Sequence, residues 1–304
     1  MMTQRTATGV GFVAVVLWSS LALLTAATGS IPPLQLTAMT FGLGGVVGLI
    51  AAALRPGGLR ALRQPWPIWL LGVGGLFGYH VLYFSALRAA PEVEASLIAF
   101  TWPLLIILLS ALLPGEALRR RHLVGALCGF AGTALIVTGG RGLSVEAEHL
   151  DGYLLALLAA FVWAAFSVLS RRVASVPSET IAGFCVATAL LSGGAHLLAE
   201  TTVLPSNRGE WAAVILLGIG PVGVAFFAWD IGVKRGDIQV LGAASYCAPL
   251  LSTVLLIGFG VNPFTGTAAL ACILIVAGAI VAALGFPKVR GAPEHGREVG
   301  RNSP

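Results

Sequence analysis

Charge is what this chain has least of. Asp, Glu, Lys and Arg make up 10% of its 304 residues, against about 25% in an ordinary soluble domain. Hydrophobic residues make up 57% and the mean hydropathy is +0.91. One soluble core cannot hide that much apolar surface, so the chain reads as an integral membrane protein. Further absences narrow the chemistry. There is no G-x-x-x-x-G-K-[ST] phosphate loop, which excludes ATP hydrolysis by that route, and neither G-x-S-x-G nor H-E-x-x-H occurs. The four cysteines, Cys128, Cys185, Cys247 and Cys272, fall in four different apolar segments without metal or disulfide spacing. They read as small packing residues, and no metal or cofactor is implied. No carboxylate falls near the middle of an apolar segment, which disfavours a proton pump built on a buried Asp or Glu.

Long hydrophobic runs are what the chain does have. Ten of them cover roughly 9–27, 34–54, 66–87, 92–113, 122–140, 152–170, 179–198, 211–233, 238–260 and 265–285. A helix rises about 1.5 Å per residue, so about 20 apolar residues cross a hydrocarbon layer of ~30 Å, whereas barrel strands need only about 9–11. The first run follows Arg5 but exceeds the apolar core of a signal peptide, so it is read as a retained helix. The fold class is therefore all-α, integral to the membrane, with ten transmembrane helices.

Lys and Arg orient the bundle. With the N-terminus in the cytoplasm, fifteen of the 18 basic residues fall on the cytoplasmic side and only Arg88, Arg141 and Arg208 on the other. Both termini are then cytoplasmic. The net charge of +5 is accounted for by topology signals and anionic-lipid contacts, which leaves no case for a nucleic-acid partner. The partners expected are the lipid bilayer and a small-molecule substrate, and a monomer suffices for this plan.

Shifted by 146 residues, the chain lies on itself: Gly72 meets Gly218, Gly74 meets Gly220, Arg88 meets Lys234, Pro103 meets Pro249, Gly132 meets Gly278 and Gly139 meets Gly285. Each copy holds five apolar runs. Five is odd, so the second copy enters the membrane from the opposite side, as in the inverted repeats of secondary transporters. The expected organisation is an N-terminal repeat over 1–140, a polar linker over 141–151, a C-terminal repeat over 152–287 and a polar, disordered cytoplasmic tail over 288–304. Gly125, Gly129 and Gly132 stand one turn apart in the fifth run, a spacing for close helix packing.

The residues with chemistry are few. Trp66, Trp69, Tyr153 and Trp211 lie near run ends, where amphipathic rings sit at membrane interfaces. Trp18, Trp102 and Trp163 lie near the middle of theirs, and an indole N–H at that depth needs a partner inside the bundle. Three such rings, drawn from both halves, point to a shared aromatic cavity. In the third run, Tyr79, His80 and Tyr83 share one helical patch. His80 can act there as ligand contact, proton acceptor or hydrogen-bonded strut. Its ordinary pKa of about 6.5 makes it the leading candidate for any proton coupling. Pro103 follows Trp102, and Pro249 occupies the matching place in the second copy, so both are expected to kink their helices. Tyr246, one turn before Pro249, is expected to enter the same cavity. Ser96, Thr101 and Ser245 are possible polar liners, or bond back to their own helix carbonyls. Asp230 and Lys234 stand four residues apart and are read as a local ion pair.

Ten spans in two five-helix repeats resemble the drug/metabolite transporter superfamily, of the EamA type. Pro103-Leu104-Leu105, Gly115-Glu116-Ala117-Leu118, Gly125 and Gly132 are similar to that repeat's signature. In the second copy Asn262 replaces the glutamate expected from Glu116. Within the superfamily, Tyr79-His80-x-x-Tyr83, Trp102 and Trp163 resemble the YddG-type aromatic amino acid exporters of the bacterial inner membrane. The resemblance covers about 1–287. It implies a basket-like bundle with a central cavity that alternates in access, and export of aromatic and other neutral amino acids. The implied substrate-binding residues are Trp18, Tyr79, His80, Tyr83, Trp102, Trp163 and Tyr246, with no catalytic residue. An exporter of lipophilic drugs or nucleoside-like metabolites would use the same aromatics. A membrane-embedded enzyme would need converging catalytic groups, but His122, His149, His196 and His295 lie far from His80 in expected depth or in loops.

Overall fold

The computed structural model describes residues 2–55, 58–142, 146–259 and 265–284, and no strand occurs among them. Ten helices are long and apolar enough to cross a membrane. They are α1 Gln4–Ala26, α2 Pro33–Ala53, α3 Trp66–Ala89, α4 Glu92–Ser110, α5 Arg120–Thr138, α6 Leu150–Arg172, α7 Thr180–Ala199, α8 Arg208–Arg235, α9 Ile238–Gly258 and α10 Gly266–Leu284. The protein is a multi-pass membrane protein. The tail 288–304, Gly285, Asn262 and linker residues 143–145 lie outside the described residues.

Several helices begin earlier than hydropathy implies, because capping residues are polar. Thr3 accepts the amide of Thr6 at the start of α1, and Asn207 accepts that of Glu210 at the start of α8. A capping oxygen satisfies an amide that the first turn leaves orphaned.

The helices pair in a regular way. α5 packs along α10, α2 along α7, α3 along α6, and α1 along the second part of α8, while α4 meets α9. Small residues make the closest approaches possible. A Cβ at Gly125 would lie 2.5 Å from the carbonyl oxygen of Gly278, and one at Gly232 would lie 2.5 Å from the Cα of Gly11. These glycines let backbones touch across α5–α10 and α1–α8.

Four spans are interrupted. In α4 the helix stops at Ala99 and restarts at Trp102, and in α9 it stops at Ala244 and restarts at Cys247. Pro103 and Pro249 lack the N–H that a continuous helix would direct to Ala99 and Ser245. In α1 the break falls at Ser19–Ser20, whose hydroxyls donate to the carbonyls of Val16 and Leu17 and compete with the helix's own pattern. In α8 the stretch Gly218–Val224, which contains Pro221, is π-helical. The extra residue in this turn absorbs what the proline disrupts.

Polar clusters tie the helix ends together. At the end of the bundle where α1 begins, Arg171 donates to Glu116 and to the carbonyls of Val233 and Gly236. Nearby, Lys234 pairs with Asp230 at 2.8 Å, as the four-residue spacing implied, and also donates to the carbonyl of Val176, while Ser178 donates to Asp230. At the other end the Glu200 carboxylate accepts from Arg88, His196 and the backbone amides of Leu34 and Gln35 at the start of α2. Burial alone would raise the Glu200 pKa, but these donors outweigh it and hold the carboxyl below the usual range.

Candidate functional site

The centre of the bundle is aromatic. Trp18 from α1, Trp102 from α4 and Trp163 from α6 meet with ring centroids 5.7–6.3 Å apart and planes near perpendicular. Edge-to-face pairs at this spacing match the ring quadrupoles, each contributing about 0.5–1.5 kcal/mol beyond burial. Helical spacing extends the cluster along α3. The rings of Tyr79 and Tyr83, one turn apart, stack at 5.8 Å and 6°, and Tyr79 reaches Trp163 at 5.6 Å. The Tyr83 hydroxyl hydrogen-bonds Ser96 at 3.2 Å.

His80 faces Phe41 of α2 edge-on at 5.0 Å. Its Nδ1 lies 2.7 Å from the carbonyl of Leu76. A carbonyl can only accept, so Nδ1 carries the proton and Nε2 is left as the acceptor. Of the three roles open to His80, strut is the one that a hydrogen bond supports, and a ligand contact through Nε2 is compatible with it.

Two of the indole N–H groups are held by protein. Trp18 donates to the carbonyl of Pro221 at 3.0 Å, inside the π-helical turn of α8, and Trp229 donates to Ser167 at 3.0 Å. Those of Trp102 and Trp163 have no protein acceptor among the described residues.

The structure brings together six of the seven residues singled out from sequence: Trp18, Tyr79, His80, Tyr83, Trp102 and Trp163. Tyr246 lies elsewhere. Its ring is fully buried against Gly129 and 6.3 Å from Phe130 of α5, in a separate core with Ile107, Leu250 and Ile275. The break in α9 directs it toward α5, because only a glycine there leaves room for the ring. Ser245 and Thr101 bond back to the carbonyls of Leu241 and Ile98, so neither hydroxyl is free.

Three aromatic residues join the cluster that sequence reasoning passed over. Trp229 lies 5.1 Å from Trp18 and stacks on Trp163 at 6.2 Å and 24°, and Phe226 stacks on Phe41 at 5.3 Å. The available signal was the 146-residue offset, which sets Phe226 and Trp229 opposite His80 and Tyr83.

Ten spans, six of which supply an aromatic and hydrogen-bonding centre, fit the class of small-molecule membrane transporters. A model of the EamA-like transporter family matches residues 6–138 and again 150–284. The chain belongs to that family, and its relatives are transporters rather than enzymes. It is 55% identical over 285 residues to the aromatic amino acid exporter YddG of Ancylobacter novellus, covering 93% of this chain and 99% of that one. It is 27% identical to the protein of the same name from Salmonella typhimurium, over 84% of this chain and 88% of the relative. A solved crystal structure, 54% identical, matches with a TM-score of 0.89 over 93% of this chain and 98% of its own.

Proposed function

We propose that the protein exports amino acids, aromatic and other neutral ones, from the cytoplasm across a bacterial inner membrane by alternating access. The carrying observation is the central aromatic cluster with its few unspent polar groups. Tryptophan and tyrosine walls stack a substrate ring or alkyl chain. The N–H groups of Trp102 and Trp163 donate to the substrate carboxylate, and Nε2 of His80 accepts from its amino group. The aromatic amino acid exporters of Ancylobacter novellus and Salmonella typhimurium to which the chain is similar support the same substrate class.

In this reading the two family matches are inverted repeats, 1–140 and 152–287, joined by the linker and followed by a cytoplasmic tail. The helix pairing supports it. An inverted duplication exchanges α1–α8 with α6–α3 and maps α2–α7, α4–α9 and α5–α10 onto themselves, which are the pairs observed. The excess of Lys and Arg on one side sets both termini in the cytoplasm. The substrate cavity opens alternately to either face between the repeats, and one subunit suffices.

The test is flux in proteoliposomes loaded with labelled tryptophan, with phenylalanine and small neutral amino acids as competitors. Export that phenylalanine inhibits is the expected result. If no amino acid moves or competes, the amino acid reading fails, and lipophilic or nucleoside-like solutes become the panel to try.

A further inference from the structure

We propose that Ser167 is a positioning residue for Trp229, and that this pair sets the preference for flat aromatic side chains over aliphatic ones. The proposal rests on the amino acid export reading and adds a specificity determinant to it.

Trp229 touches each of the other three indoles, at 5.1 Å for Trp18, 5.8 Å for Trp102 and 6.2 Å for Trp163. Of the six pairs among these four rings, only Trp163–Trp229 is near parallel, at 24°, while the rest cross at 52° to 89°. Stacked carbon atoms touch at about 3.5–4.0 Å, so a third ring does not fit between centroids 6.2 Å apart. The two rings therefore pack as one unit, with no slot for a substrate ring between them.

The orientation of that unit has a chemical cause. Ser167 follows Trp163 by four residues on α6, so the two side chains share a face of the helix. Trp229 lies across that face, with its ring on Trp163 and its N–H on the Ser167 hydroxyl at 3.0 Å. Ser167 and Trp229 are 0% and 1% exposed. A ring turned about its side-chain bond would bury the same apolar area but leave the N–H without an acceptor, which an apolar interior penalises. Packing alone would be served by alanine at 167. The hydroxyl is what selects one ring orientation over the other. The offset of 146 residues sets Leu21 opposite Ser167 and Tyr83 opposite Trp229, so the first repeat has no equivalent pair.

In proteoliposomes, Ser167→Ala is expected to raise KM for tryptophan about tenfold with maximal rate within about twofold, and to leave KM for valine within about twofold. Ser167→Thr, which keeps the hydroxyl, is expected to restore tryptophan KM. In a Trp229→Phe background, where no N–H needs an acceptor, Ser167→Ala is expected to add nothing. Equal KM changes for tryptophan and valine, or an undiminished effect in the Trp229→Phe background, would overturn the proposal in favour of general packing. If the wild-type protein itself moves no amino acid, the export reading fails. Positioning is then read from 5-fluorotryptophan resonances of the detergent-purified protein. The signal that Trp229→Phe removes should shift in Ser167→Ala and return in Ser167→Thr, and an unmoved signal overturns positioning as well.

Discussion

Two helix pairs frame the aromatic centre and are built in opposite ways. In the α3–α6 pair both helices run uninterrupted, over 24 and 23 residues. In the α1–α8 pair both are broken, at Ser19–Ser20 and over Gly218–Val224. The regular pair presents chemistry through side chains at helical spacing: Tyr79, His80, Tyr83 and Trp163. The irregular pair brings a backbone carbonyl, that of Pro221, to the same centre, and Trp18 covers it. Freed backbone groups survive at membrane depth only where protein partners satisfy them. The straight pair displays side-chain donors and acceptors, while the broken pair brings a main-chain carbonyl within reach of a side-chain donor.

The largest expected effect tests whether the regular pair carries recognition. Trp163 touches Tyr79, Trp18, Trp102, Phe226 and Trp229, whereas Trp66 on α3 is 73% exposed. Trp163→Ala is expected to lower flux more than tenfold at matched expression, and Trp66→Ala less than about twofold. Trp163→Phe should fall between them. Equal losses from Trp163→Ala and Trp66→Ala would dissolve the distinction between centre and periphery.

A smaller effect separates the two pairs directly. Trp18→Phe removes the indole N–H that donates to the buried Pro221 carbonyl, a cost of about 1–3 kcal/mol, whereas Tyr83→Phe removes a half-buried hydroxyl bond to Ser96 worth about 0.5–1.5 kcal/mol. Melting in detergent should therefore fall further for Trp18→Phe. The reverse order would mean that the broken pair does not depend on this hydrogen bond.

The smallest effect lies away from the aromatic centre, at the end of α3, and serves as a reference. The folded-state pKa of Glu200 is depressed, so its contribution to stability is fully present above the ordinary glutamate range near pH 4.5 and is lost as pH falls through the lower folded value. Glu200→Gln should lower the melting temperature at pH 7–8, where the carboxylate contributes fully, and flatten the acid limb of the profile below about pH 4.5. A pH profile identical to that of the wild-type protein would remove the carboxylate from the link between α2, α3 and α7.

Much of this was legible in the chain. Runs of about 20 apolar residues announce spans, and the polar patch Tyr79-His80-Tyr83 announces itself by helical spacing. The Asp230–Lys234 pair was also visible, because a four-residue separation is a local fact. The places of Tyr246 and Trp229 were not legible, for one shared reason. Tyr246 stands beside a proline break and was given to the centre, yet the room left by Gly129 takes its ring to α5. Trp229 was not singled out at all, yet α8 delivers it to Trp18 and Trp163.

The membrane class, the ten spans and the repeated pattern follow from the sequence by itself, because apolar character accumulates locally along a chain and needs no knowledge of neighbours. Which aromatic residues meet was decided only by the tertiary structure. One extra residue in a helical turn rotates everything after it by about 100°, and the π-helical turn before Ala225 does this to Phe226 and Trp229. No count of residues from the end of a span contains that rotation.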